Sequence, residues 1–360
     1  MISITLLDNI ELAPFTTLDV GGRARHLVVV RSEHELIEAL QLALSRRLEV
    51  FVLGGGSNIL VSDNGFEGLV IKIEILGIEV ADSVDGYVLI TAAAGENWDD
   101  FVQYCVGDDL AGVECLSGIP GLVGGTPIQN VGAYGQDVSE TIHSVKCFDR
   151  KLSKIVEFTN SECDFAYRKS RFNSEDKDRY VVVSVTFTFA VNGKPKIEYK
   201  ELREMFNGEY PTLSEVRDAV IAIRRAKSMV IDPSDVNSRS AGSFFKNPIV
   251  DDEKYLEICR QFERVPNFPA DDGQVKIPAA WLIEKAGFEK GTVRGKAGIS
   301  SKHTLALINR GGATAAEIVA LKAEIQAEVK IKFDIDLVTE PILLGFEQED
   351  FDSHENFCGL

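Results

Sequence analysis

Apolar and polar positions fall along the chain in blocks that read as strand, helix and strand. Residues 27–31 (LVVVR) predict a buried strand, and Ser32-Glu33-His34-Glu35 predicts a capping box opening a helix. Leu36, Ile37, Leu40 and Leu44 then recur at helical spacing. Residues 50–53 form a second apolar strand that runs straight into Gly54-Gly55-Gly56-Ser57-Asn58, giving a β-α-β unit that feeds a glycine loop. A further strand is predicted over 69–73. From Gly77 the blocks shorten, with strands over 79–81 and 87–94 around the hairpin pair Asp85-Gly86, and a short helix over 98–106. A glycine-dense stretch, 118–135, precedes strands over 143–148, 154–158 and 180–190. Thr212-Leu213-Ser214-Glu215 is a capping box for a helix to about 226, and 228–240 reads as a linker. The remaining pattern predicts a helix over 278–286, a strand over 304–309 and a long helix opened by Thr314-Ala315-Ala316-Glu317. A final strand is predicted over 335–344. Beyond Phe346 the chain has five acids and no Lys or Arg, which predicts a disordered tail over 347–360. The whole is α+β.

Composition narrows the picture. A chain of 360 residues with 45% apolar and 26% charged side chains can bury a large core, which excludes disordered and collagen-like classes. The net charge of −18 argues against generic binding to nucleic acid or to an anionic membrane. A phosphate-bearing ligand must therefore be held by local Arg, Lys and main-chain N–H groups. No apolar run approaches the ~20 residues that span a bilayer. The start, MISITLLDNIELAPF, has no basic flank or small-residue cleavage site, so a cytoplasmic protein is expected. The six cysteines are far apart with no C-x-x-C pair, and read as reduced structural thiols. The five histidines are scattered, and no metal site is expected.

Five stretches could carry chemistry. The loop Gly54-Gly55-Gly56-Ser57-Asn58 lets main chain approach a ligand closely and can form an anion nest, although a plain turn fits it equally well. It is neither a Walker A loop nor a Rossmann fingerprint. The stretch 118–135 packs six glycines into eighteen residues with almost no charge, which suits main chain around a flat or extended cofactor better than the alternative, a tightly packed turn region. Two such loops suggest a dinucleotide clamped between two subdomains. Tyr167-Arg168-Lys169-Ser170-Arg171 is a basic patch in an acidic chain. Arg168 can pair with a carboxylate or phosphate, but a solvated surface loop is the plainer reading. In Ser240-Ala241-Gly242-Ser243-Phe244-Phe245, small residues set the Ser243 hydroxyl beside two aromatics, although a strand start over a core is the plainer reading. Glu340, extended by the Pro341 that follows it, sits in an apolar segment, either as a satisfied structural acid or as a cleft carboxyl of raised pKa.

Taken in order, these segments resemble the UDP-N-acetylenolpyruvoylglucosamine reductase family, flavoenzymes of peptidoglycan precursor synthesis. The matching stretches are Thr16-Thr17-Leu18-Asp19-Val20-Gly21-Gly22, 54–60, 118–135, Tyr167-Arg168, 241–248 and Thr339-Glu340-Pro341, spread over about residues 14–345. The resemblance implies a two-subdomain FAD-binding unit of the vanillyl-alcohol-oxidase (PCMH) type plus a third, α+β substrate-binding domain. The implied boundaries are 1–74 (joined by about 338–346), 75–230 and 231–337. It implies non-covalent FAD, since the glycine loop has no His, held by Gly54, Gly55, Gly56, Ser57, Asn58, Ile119, Pro120, Gly121, Gly124, Gly125, Gly132, Ala133 and Tyr134. NADPH is implied as hydride source, without a nicotinamide motif of its own. Arg168, Ser243 and Glu340 are the implied catalytic residues: Arg168 and Glu340 for the enolate, Ser243 for the proton to C2. Tyr167, Tyr199, Lys227 and Asn247 are the implied contacts to a nucleotide-sugar substrate. A monomer is expected, with no nucleic-acid or membrane partner. An FAD-dependent alcohol or lactone oxidase of the same fold, or a non-catalytic flavin-binding protein, would not need Arg168, Ser243 and Glu340 together.

Overall fold

The computed structural model describes residues 4–208, 210–270 and 273–347. The acidic tail expected over 347–360 lies, apart from Glu347, outside the described residues. The chain divides into two compact units: 1–10, 24–56 and 67–230 form the first, and 11–23, 57–66 and 231–360 the second. Residues of both expected flavin subdomains, 1–74 and 75–230, thus fall in the first unit, while 11–23 and 57–66 fall in the second.

The first unit is built on two sheets. One has the strand order Leu7–Glu11, Arg23–Val30, Phe66–Ile73, Val50–Leu53, with the last two parallel. Helix α1 (Glu33–Arg46) makes the crossover between Arg23–Val30 and Val50–Leu53. It starts where Ser32 accepts from the Glu35 N–H at 3.2 Å. Glu35 itself turns back to the Arg31 N–H, one residue earlier than a capping box would have it. The buried face is Leu36, Ala39, Leu40 and Ala43. Leu44, expected on that face, is 77% exposed, because the stripe of small and large residues at 36, 39, 40 and 43 is rotated away from it. The second sheet runs Lys154–Thr159, Ile142–Asp149, Tyr180–Val191, Tyr87–Ala93, Ile78–Val80, all antiparallel, with Leu110–Ala111 also on Tyr180–Val191. Asp85 (φ +52°) and Gly86 (φ +81°) supply the turn into Tyr87–Ala93. Helix α2 (Trp98–Gly107), capped by Asn97, packs Trp98 and Phe101 onto Phe187 and Phe189 with ring centroids 5.0–6.1 Å apart. The buried Trp98 indole N–H donates to the Leu116 carbonyl at 3.1 Å, so the core's largest side chain leaves no polar group unpaired. Two more helices, α3 (Lys200–Phe206) and α4 (Leu213–Ala226), complete this unit. The Thr212–Glu215 capping box that opens α4 is present as expected.

The second unit holds α5 (Asp252–Gln261), α6 (Ala279–Lys285) and α7 (Ala315–Phe333), with small antiparallel sheets beside them. Helix α7 is capped twice over: Thr314 and Glu317 form the capping box, and the Asp63 carboxylate accepts from the Ala315 and Ala316 N–H groups at 2.8 and 2.9 Å. The expected strand over 335–344 shortens to Ile342–Leu344, which pairs in parallel with Ile59–Val61. Residues 335–341 meet only the bridge Phe245↔Thr339, and Pro341 offers no N–H to a ladder. Leu18, Val20 and Leu60 share one core with Phe244, Phe245, Ile318 and Leu321, which explains why 11–23 and 57–66 belong to this unit.

Asn309 locks the early segment in place. Its side-chain amide donates to the Leu18 and Asp19 carbonyls, both at 3.0 Å, and its oxygen accepts from the Gly311 and Ala313 N–H groups, both at 2.9 Å. Removing a 1% exposed side chain with four hydrogen bonds leaves buried main-chain groups unpaired. Asn309→Ala should therefore lower the unfolding free energy by about 3 kcal/mol in denaturant titration. A loss below about 1 kcal/mol would contradict this role.

Candidate active site

The two glycine loops meet in the first unit. A Cβ on Gly55 would stand 2.7 Å from the Gly121 Cα, and one on Gly124 would stand 2.6 Å from the Ala94 Cβ, so only bare main chain fits at either position. Gly56 (φ +65°) and Gly121 (φ +131°) also need conformations that L side chains rarely adopt. Residues 121–124 are fastened alongside 94–98: Trp98 N–H donates to Gly121, Val123 N–H to Glu96 and Gly124 N–H to Ala94. By contrast, Gly54 would place a Cβ 3.9 Å from Leu122, and Gly125 would meet nothing within 4 Å. Among the described residues, no main-chain carbonyl accepts from the N–H groups of Gly55 or Gly56. Main-chain N–H groups without a carbonyl partner and missing side chains suit the phosphates of a dinucleotide, so the residues present fit FAD.

A buried charged network braces this region, and its members were not singled out from the sequence. Asp99 on α2 pairs bidentately with Arg217 on α4 at 2.6 and 2.9 Å and accepts from the Gly118 N–H at 2.6 Å. Arg224, one helical stripe further on, donates to the Gly118 carbonyl at 3.0 Å and to the Met229 carbonyl at 2.8 Å. Its guanidinium also interacts electrostatically with Tyr134, and no carboxylate pairs with it among the described residues. Burial pulls its pKa down, against Tyr134 and Asp99, but a guanidinium keeps its charge. A signal for both arginines exists in the sequence: 213, 216, 217, 220, 223 and 224 form one buried stripe of α4, and Arg217 and Arg224 interrupt it.

Tyr134 (φ +52°) and Gly135 (φ +85°) make the two-residue turn between Ala133 and Gln136, so Tyr134 stands at a hairpin tip. Its ring lies edge to face with Tyr199, centroids 5.3 Å apart, and the Lys227 Nζ is 5.8 Å from its centroid. Lys227 donates to Glu201 at 2.8 Å. Burial works to lower the Lys227 pKa, but Glu201 and Tyr134 outweigh it and raise it overall. Tyr134, Tyr199 and Lys227, expected from separate motifs, are thus one cluster with Arg224.

The basic patch is not a solvated loop. Arg171 lies over the Phe158 ring at 4.1 Å and pairs with Asp176. Arg168 has φ +53°, in a turn closed by the Ala166–Lys169 pair, and its guanidinium donates to the Gly132 carbonyl at 2.6 Å and the Asn130 carbonyl at 3.4 Å. Buried Asn130 holds that turn by donating to the Ala166 carbonyl at 3.1 Å. Gly132 is glycine because a Cβ there would stand 1.6 Å from Asp137 Oδ1. Tyr167 lies beside the guanidinium, its ring centroid 5.2 Å from the Arg168 Cζ.

In the second unit, Gly242 (φ +74°) turns the chain into Ser243, and the Phe244 N–H donates to Leu305 at 2.8 Å. The half-buried Ser243 hydroxyl has no protein hydrogen-bond partner among the described residues. Glu340 N–H donates to the Phe244 carbonyl at 3.0 Å, and the Glu340 carbonyl accepts from the Asn58 side chain at 3.3 Å. Asn58, expected at the cofactor, thus also braces the segment carrying Glu340. Asn247 accepts from the Ala279 N–H at 2.9 Å, tying the segment before strand Ile249–Val250 to the start of α6.

Burial works to raise the Asp99 pKa, but Arg217 and the Gly118 N–H outweigh it and hold the carboxyl below its ordinary value. A depressed carboxyl pKa stabilises the fold above the unfolded value, about 3.9, and the benefit fades as pH falls through the folded value. Asp99→Asn should cost about 1–2 kcal/mol at pH 7. The gap to wild type should close below about pH 4 in denaturation series, and a gap constant with pH would refute the ion pair's role.

Known proteins resemble this chain along its length. Residues 24–159 match the model described as FAD binding domain, and 232–344 match the one described as UDP-N-acetylenolpyruvoylglucosamine reductase, C-terminal domain. The chain is 46% identical to the UDP-N-acetylenolpyruvoylglucosamine reductase of Thermobifida fusca over 94% of its own length and 97% of that protein's. It is 44% identical to that of Cutibacterium acnes over 94% and 90%. The crystal structure of the Thermus caldophilus reductase, 24% identical, has the same fold with a TM-score of 0.62 over 96% of this chain and 100% of that one. With full-length relatives at this identity, the chain belongs to the UDP-N-acetylenolpyruvoylglucosamine reductase family of FAD-dependent enzymes.

Proposed function

We propose that this chain reduces the enolpyruvyl ether of UDP-N-acetylglucosamine to UDP-N-acetylmuramate in peptidoglycan precursor synthesis, with Arg168, Ser243 and Glu340 as its catalytic residues. When bound, FAD accepts a hydride from NADPH and delivers it to C3 of the enolpyruvyl group. Charge then builds at C2 and spreads onto the neighbouring carboxylate. Arg168 holds that carboxylate; its αL backbone and its ties to Gly132 and Asn130 fix the guanidinium in advance, so little reorganisation is needed as charge develops. Glu340, anchored through its main chain to Phe244 and Asn58, polarises the same group. Ser243 gives C2 its proton, since a carbanion is basic enough to take one from an aligned hydroxyl.

The observation that carries this assignment is the Ser243 hydroxyl, half-buried beside a packed aromatic pair and committed to no protein group among the described residues. An oxidase that only removes hydride from an alcohol has no use for a proton donor there. The FAD pyrophosphate is assigned to Gly54, Gly55, Gly56, Ser57 and Asn58 and to Ile119, Pro120, Gly121, Gly124 and Gly125, with Gly132, Ala133 and Tyr134 nearby. Buried Arg224, whose charge has no carboxylate partner among the described residues, adds attraction for a phosphate. Tyr167, Tyr199, Lys227 and Asn247 are assigned to the nucleotide sugar. No described helix is long and apolar enough to cross a membrane, which suits a water-soluble substrate; we assign the enzyme to the cytoplasm as a monomer.

The half-reactions separate these roles. In Ser243→Ala, anaerobic NADPH should bleach the flavin at the wild-type rate, while reoxidation by the enolpyruvyl sugar falls roughly a thousandfold. Reoxidation at the wild-type rate would remove Ser243 as proton donor. Arg168→Ala should keep its flavin and lose turnover by roughly a hundredfold or more, as for one lost charge-stabilising donor. Loss of FAD instead would move Arg168 to the cofactor.

A further inference from the structure

Glu114 is 0% exposed and is named in no step above. Its Oε1 accepts from Gln136 Nε2 at 3.1 Å and from the Lys196 main-chain N–H at 2.9 Å, while its Oε2 accepts from the Gly112 N–H at 2.8 Å. Three N–H donors stabilise the buried carboxylate without a cation in direct contact. Two of those donors lie on different segments of the site. Gln136 is the root of the hairpin whose tip is Tyr134, and its own Oε1 is fixed by the Cys115 N–H at 2.9 Å. Lys196 lies three residues before Tyr199, on the strap that leads into α3. The strap is gripped at both main-chain groups of Lys196, since the Cys115 thiol donates to the Lys196 carbonyl at 3.1 Å. It also lies on the hairpin turn itself: a Cβ on Gly135 would stand 3.4 Å from the Glu198 Cβ and 3.5 Å from the Tyr199 nitrogen. Downstream of Tyr199, buried Leu202 anchors α3 independently.

We propose that Glu114 is a positioning residue for substrate. By binding Gln136 and Lys196 through one carboxylate oxygen, it sets Tyr199 edge to face against Tyr134 and so fixes the ring that holds the nucleotide of the substrate. This rests on the reading of Tyr199 as a substrate contact. Glu114 touches neither the loop 54–58 nor the segment 119–125 assigned to the FAD pyrophosphate, and the hairpin it holds through Gln136 lies only beside them, so flavin is retained and the loss falls on substrate binding. Without Glu114 the strap keeps its α3 anchor, the Cys115 thiol contact and the Lys196–Glu140 pair but loses the acceptor it shares with Gln136, so Tyr199 samples more positions and substrate binding weakens.

The test is a double-mutant cycle in the holoenzyme, read as KM and kcat for the enolpyruvyl sugar. Glu114→Ala should raise KM about tenfold with kcat within about twofold, the pattern of lost binding that is uniform in ground and transition states. Glu114→Gln keeps the shape and one acceptor for Gln136 and Lys196, and should recover most of the KM. In a Tyr199→Ala background, either Glu114 change should move KM by less than about twofold, because the effect runs through that ring. Equal KM effects in both backgrounds, or an unchanged KM in the Glu114 variants beside a raised KM in Tyr199→Ala, overturns the inference and leaves the site reading standing. An unchanged KM in Tyr199→Ala overturns the site reading, and the inference with it. Should Glu114→Ala fail to yield flavin-bound protein, the Glu114→Gln pair carries the cycle, with about a threefold KM rise expected in the wild-type background alone.

Discussion

Everything in the cofactor region depends on two stretches of main chain touching where neither has a side chain. Gly55 and Gly121 approach so closely that a single added methyl would stand 2.7 Å from a backbone carbon. Bare loops contribute little cohesion of their own, since glycine gains no packing and loses the most freedom on ordering. The surroundings supply what the loops lack. Trp98 and Phe101 pack beneath, the 94–98 segment fastens 121–124, and the Asp99–Arg217 pair takes the Gly118 N–H while Arg224 takes its carbonyl. Removing one member of such a network strands the others, which makes it a rigid support.

The same device recurs where the proposed catalytic side chains are presented. Arg168 is held by two main-chain carbonyls and a turn that Asn130 closes. Glu340 is held through its own N–H and carbonyl, which fixes its segment at the main chain. Asn309 fixes 18–19 against the segment that follows strand Leu307–Asn309. Each is a side chain spent on main-chain groups far away in sequence. Such contacts make positions accurate without adding charged groups that would compete for an anionic substrate.

This division explains what the sequence could and could not tell. Signals confined to a few neighbouring residues were legible: the capping boxes at Thr212 and Thr314, the strand over 50–53, the Asp85-Gly86 turn and the two glycine loops all stand where the pattern puts them. The family was legible because its motifs are short and keep their order. Contacts across tens or hundreds of residues carry no spacing signal. Glu114 reads as an ordinary acid in a short connection, Asp63 as a loop acid, and Asn309 as the end of a strand. The segment over 335–344 looked like one strand because its apolar content is continuous. Only Ile342–Leu344 finds a partner strand, and the single bridge at Thr339 is invisible from composition. Leu44 failed for a related reason, since a helix with alanines on its inner face can rotate a leucine out to solvent.

The claim that bare main chain holds FAD is tested most directly at the glycines that the protein itself does not require. Gly54 and Gly125 have room for a methyl group, with the nearest protein atom 3.9 Å away in one case and none within 4 Å in the other. In the double variant Gly54→Ala, Gly125→Ala, the apoprotein should unfold at the wild-type denaturant concentration, while FAD titrated by flavin fluorescence binds at least about tenfold more weakly. Wild-type FAD affinity in a normally folded double variant would contradict the account.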